Sequence, residues 1–212
     1  MCIDAKQSLI ALGVMVFISF ILYIRNIGYD RIFCFLLLAV SLIQFIEFLY
    51  HSKYIDSGTA GKAIFLILWL QVFVFAVSLY YRFRTSLTGV YMIFFTVAFL
   101  VAIIYSTNTN FSVTSGGKHL LWQQYGLQQG EILGNSRWIY LAGLLLPLLI
   151  ILYYNKWKDT GSWILLGSIA FSVIFTKMIS NGVHFPSMWC YSAIFILFAA
   201  YLIGAFYCSR KD

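Results

Sequence analysis

The chain has 212 residues, of which 62% are apolar and only 10% charged, and its mean hydropathy is +0.88. That is too little polar surface to cover a soluble globule, so a water-soluble domain is excluded and an integral membrane protein is expected. The net charge of +7 reads as a topology signal and as an attraction to anionic lipid; no basic patch or stacking platform lies outside the apolar runs, which excludes nucleic acid as a partner.

Apolar runs of spanning length occur at 8–24, 32–50, 63–81, 87–105, 138–154, 163–180 and 187–208. They are continuous rather than alternating, which argues against barrel strands. The expected fold is an all-α integral membrane protein, a seven-transmembrane-helix bundle forming one domain over residues 1–212. The first run is followed, not preceded, by its charges and lacks a small-residue cleavage site, so it is expected to stay as a helix rather than be removed as a signal peptide.

The second run contains QFIEFLYH, in which Gln44, Glu47 and His51 share one helical face. A carboxylate in a membrane helix costs roughly 2.5 to 3.5 kcal/mol on insertion scales, so Glu47 is expected to face protein rather than lipid. The third run carries Gln71. Gln44 and Gln71 read first as interhelical hydrogen-bonding residues and second as ligand contacts.

Residues 106–137 form the one long polar connection. Within it, NFSVTS, Gly116-Gly117 and KHLLWQ read as two strands around a two-residue turn. Phe111, Val113, Leu120 and Trp122 then share an apolar face fit to lie on the bundle as a lid, and Asn110, Ser112, Thr114 and His119 share the other. Asn110-Phe111-Ser112 is also a glycosylation sequon, in a eukaryotic host.

The sixth run carries Lys177, with Asn181 and His184 four and seven residues later, and the seventh opens at Trp189 and Cys190. Arg25, Arg31, Arg82, Arg84, Lys156, Lys158, Arg210 and Lys211 flank one side of the runs, whereas Lys6, Lys53, Lys62, Lys118 and Arg137 flank the other. Eight against five places the N-terminus outside, or lumenal, and the C-terminus in the cytosol. In that topology Glu47 and Lys177 lie at equal depth, and all three histidines converge with Cys2 and Cys190 on one outer pocket, leaving the inner half of the bundle nearly featureless.

Two classes of function follow. In the first, a metal-dependent membrane-embedded enzyme, Glu47 is the acid or base beside Lys177, and His51, His119, His184 and Cys2 are candidate ligands for zinc, which accepts imidazole, thiolate and carboxylate. Gln44, Gln71, Asn181 and Trp189 are the candidate binding residues for a small-molecule or lipid ligand. In the second, a non-catalytic sensor, receptor or small-solute transporter, the Glu47/Lys177 pair switches with ligand or pH. The blander readings are a structural ion pair for Glu47 with Lys177, a helix cap for Asn181 and a membrane-interface belt for the tryptophans. Cys2 and Cys190 form a disulfide in the alternative case, which excludes Cys2 as a thiolate ligand. Cys208, beside Arg210 and Lys211, is a candidate palmitoylation site in a eukaryotic host.

The opening MCIDAKQSL, together with QFIEF, GGKHLLW and HFPSMWC, resembles an uncharacterised family of small polytopic membrane proteins found in bacteria, algae and large viruses, whose members often begin Met-Cys. The resemblance implies that Cys2, Gln44, Glu47, His119, Trp189 and Cys190 are recurrent positions; it does not extend to His51 or Lys177, and it carries no activity. Retinal proteins need a lysine in the last helix, which residues 187–208 lack. The ceramidase and adiponectin-receptor type of hydrolase needs paired histidines four apart there, and these too are missing.

Overall fold

The computed structural model describes residues 5–116, 119–124, 133 and 136–154, with Trp163, Gly167, Ala170, Phe171, Ile203 and Gly204 beyond them. Five helices and two strands lie among these residues. In chain order they are α1 (Ala5–Arg25), α2 (Asp30–His51), α3 (Ser57–Phe83), α4 (Ser86–Asn108), β1 (Phe111–Gly116), β2 (His119–Gln124) and α5 (Arg137–Tyr154). The first four are long and apolar enough to cross a membrane, so the chain is a multi-pass membrane protein. The runs at 163–180 and 187–208 lie outside the described residues apart from the isolated positions named above.

Short turns make consecutive helices antiparallel neighbours. Asn26 closes α1 in the left-handed conformation at φ 47°, and Gly28 follows at φ 57°. Arg25, the last residue of α1, donates from Nε and Nη2 to the Asp30 carboxylate at 2.6 and 2.8 Å, and the Ile27 backbone N–H adds a third bond at 3.0 Å. The carboxylate is therefore held while almost fully buried. The α3–α4 turn lies at the same end, where Tyr29 meets Phe83, Phe83 stacks on Tyr154, and the Tyr154 hydroxyl is 2.6 Å from that of Thr85. This end, carrying Arg25, Arg31, Arg82 and Arg84, is called the arginine end below; β1 sits at the opposite one.

α2 and α3 form the centre. Leu37, Val40, Ile43, Ile64, Leu68, Val72 and Phe75 are each at most 1% exposed, whereas α1 and α4 present Phe17, Phe20, Ile93, Phe94 and Ile104 outward, as lipid-facing helices do. α5 packs on α3 and α4 through Gly143: a Cβ there would run into Val72 and, at 2.7 Å, the Phe95 ring, while the Tyr91 hydroxyl donates to the Gly143 carbonyl. The small residue lets two backbones approach, a common device where hydrophobicity cannot drive helices together.

α3 begins six residues before the apolar run expected from position 63, because SGTAGK is polar yet well started. Asp56 caps it, accepting from the backbone N–H groups of Gly58 and Thr59 at 2.8 and 3.0 Å and from the Thr59 hydroxyl at 2.6 Å. At 27 residues α3 is about 40 Å long, longer than a hydrocarbon core of about 30 Å. Lys62 thus lies within the helix. β1 packs on the extra turns: Phe111 and Val113 are buried, the Phe111 ring lies 4.9 Å from that of Phe65, and a Cβ on Gly61 would sit 2.7 Å from Phe111 Cβ. The Ser57 hydroxyl receives the Val113 backbone N–H at 2.7 Å and donates to the Val113 carbonyl at 2.9 Å. β2 pairs antiparallel with β1, Val113 opposite Trp122 and Gly116 opposite His119, which puts register positions 120 and 122 on the face of Phe111 and Val113.

The hydrogen bond from the Thr59 hydroxyl, followed by that from its backbone N–H, lowers the Asp56 carboxyl below its ordinary range. A depressed folded-state value means that the cap's contribution is complete above about pH 4 and fades as pH falls further. Thermal unfolding in detergent should therefore show wild type above Asp56→Asn at pH 7, with the difference closing below pH 4, since only the wild-type cap titrates.

Candidate functional site

Glu47 and Gln44 lie one turn apart on the stripe of α2 that carries Leu37 and Val40, and both are fully buried. Glu47 is four residues, about 6 Å of helix rise, before His51. Three residues after Glu47, the Tyr50 hydroxyl reaches the Val113 carbonyl at 3.5 Å, so this end of α2 meets β1. A carboxylate and an amide are thus fully buried near the end of α2 that meets β1. Such groups keep a place inside a membrane bundle only where protein surrounds them.

Gln71 lies deeper, fourteen residues or about 21 Å along α3 from Ser57. It is fully buried, and its Oε1 accepts from the Tyr140 hydroxyl at 2.8 Å, joining α3 to α5; its Nε2 has no hydrogen-bond partner among the described residues. Tyr140 is the site residue that sequence reasoning missed. With the partners 69 positions apart, no local pattern points to it. The hydrogen bond makes Gln71 an interhelical tie, set apart in depth from the pair on α2.

His51 closes α2, half-buried, its ring edge-on to Tyr50 at 5.9 Å. His119 opens β2, the strand next to the one that covers α3. Cys2, Lys177, Asn181, His184, Trp189, Cys190 and Cys208 lie outside the described residues. Among the described residues no three His, Cys, Asp or Glu side chains come together as metal ligands, and Cys34, buried in α2, is a free thiol. Asn110 of the sequon is exposed between α4 and β1.

The arginine end corrects one expectation. It is not featureless: a cleft of about 780 Å³ opens there between the α1–α2 turn and α3, lined among others by Tyr23, Asn26, Arg31, Phe35, Tyr81 and Arg82. The arginines were visible in sequence, but as a count of charges by side. Only the packing of α1 and α2 against α3 gathers two of them around one opening. No protein-family model matches the chain, and a search of curated proteins finds no match.

Proposed function

We propose that the chain is a seven-helix membrane protein, N-terminus outside, whose working site is a polar chamber under a hairpin turning at Gly116-Gly117, with Glu47 as its acid–base group. The observation that carries this reading is the complete burial of Glu47 and Gln44 on one face of α2, at the end met by β1. The orientation is supported by the gathering of Arg25, Arg31, Arg82 and Arg84 at the opposite end.

In the enzymatic form of the proposal a metal ion, zinc by donor type, would be held by imidazole from among His51, His119 and His184, with Cys2 as a further donor; it would supply Lewis acidity, and Glu47 is the group placed to accept a proton. His51 near Glu47 and His119 in the covering strand pair are the placements that favour it. Elemental analysis of protein purified without chelators should find near-stoichiometric metal in wild type, lost in both His119→Ala and Cys2→Ser. Wild-type protein without metal would leave the second form, a non-catalytic sensor, receptor or transporter using Glu47 and Lys177, which the enclosure of the carboxylate favours.

A further inference from the structure

We propose that the cleft at the arginine end is a binding site for one anionic phospholipid, its phosphate between Arg31 and Arg82 and its acyl chains along the apolar wall. The charge comes first. Among the described residues the sole ion pair is Arg25 with Asp30, so Arg25 is neutralised. Arg31 instead lies over the Tyr23 ring at 5.7 Å, and Arg84, beside the cleft, over Tyr81 at 5.5 Å. Neither interaction consumes the charge, and a guanidinium left with free N–H donors suits a phosphate. Asn26 and Ser78 add neutral polar groups to the same lining.

The walls identify the rest of the ligand. Tyr23 is 50% exposed, Phe35 42%, Val77 37% and Tyr81 72%, so the cleft is open along faces of α1, α2 and α3 that belong to membrane-spanning helices. A soluble phosphate compound would use the arginines and leave these rings and side chains without a partner. A phospholipid uses both: headgroup at the level of the turn, chains against Phe35, Phe73 and Val77, and tyrosines at the boundary, where amphipathic rings are favoured. Basic pockets between membrane helices are a general way of holding anionic headgroups. Which leaflet supplies the lipid follows from the orientation proposed above, but the binding itself does not depend on it or on the reading of Glu47.

The test is native mass spectrometry of the full chain released from nanodiscs of equal phosphatidylglycerol and phosphatidylcholine. Two cations near a headgroup should favour the anionic lipid about tenfold or more, with one molecule retained. The double variant Arg31→Gln/Arg82→Gln should lose that preference; both side chains are exposed, so the fold should survive. Lys53→Gln/Lys62→Gln, at the other end, should keep it. Equal retention of the two lipids, or a preference untouched by the arginine variant, would overturn the proposal. So would displacement of the lipid by millimolar inorganic phosphate, which would make the site one for a soluble anion.

Discussion

Asp30→Ala should be among the most damaging single changes in the chain, lowering stability in detergent by about 3–5 kcal/mol, because it removes the carboxylate to which a partly buried guanidinium makes two hydrogen bonds. Asp30 also receives the Ile27 N–H, so the same change frees a donor in a turn already held by two left-handed residues. Arg25 lies against Gly204 as well, since its guanidinium fills the space a Cβ there would need. The loss should therefore spread beyond the α1–α2 turn. Replacing both partners, as in Arg25→Met/Asp30→Leu, should recover much of it, because no charge then remains buried. Unfolding by a denaturing detergent, followed by far-ultraviolet circular dichroism, measures both variants against wild type.

Gly143→Ala is the second. The added methyl has no free volume, since it meets Val72 and the Phe95 ring, and moving α5 outward would also break the hydrogen bond from Tyr91. Overpacking costs about 1–3 kcal/mol, and the lost interhelical bond about 0.6 more. Tyr91→Phe removes the bond alone and should show only that smaller part. The same unfolding assay separates the two, and equal losses would mean that the close approach at Gly143 contributes nothing of its own.

The first five apolar runs were legible as helices, and the first four as candidate spans, because membrane helices must hide every backbone polar group and must be apolar over their length. Hydropathy reports the solvent around a helix rather than its ends, which is why α3 starts at Ser57 and not near 63: its first turns are set by the Asp56 cap and by contact with β1. The burial of Glu47 was legible for a related reason, as a carboxylate in such a helix must turn from lipid. The Tyr140–Gln71 bond and the cleft around Arg31 and Arg82 were not legible. Each depends on how helices distant in sequence are placed side by side, and an arginine near a helix end looks the same whether it faces open water or a cleft.

Both forms of the proposed function require that Glu47 face a polar partner inside the bundle, and the partner proposed from the spans expected in the sequence is Lys177. A double-mutant cycle on the full chain tests this most directly. If the two are paired, Glu47→Ala and Lys177→Ala should each be strongly destabilising, by about 3–5 kcal/mol, and the double variant should be less damaged than Glu47→Ala alone, because no uncompensated charge remains. Losses that simply add would contradict the pairing and, with it, the placement of Lys177 at the site.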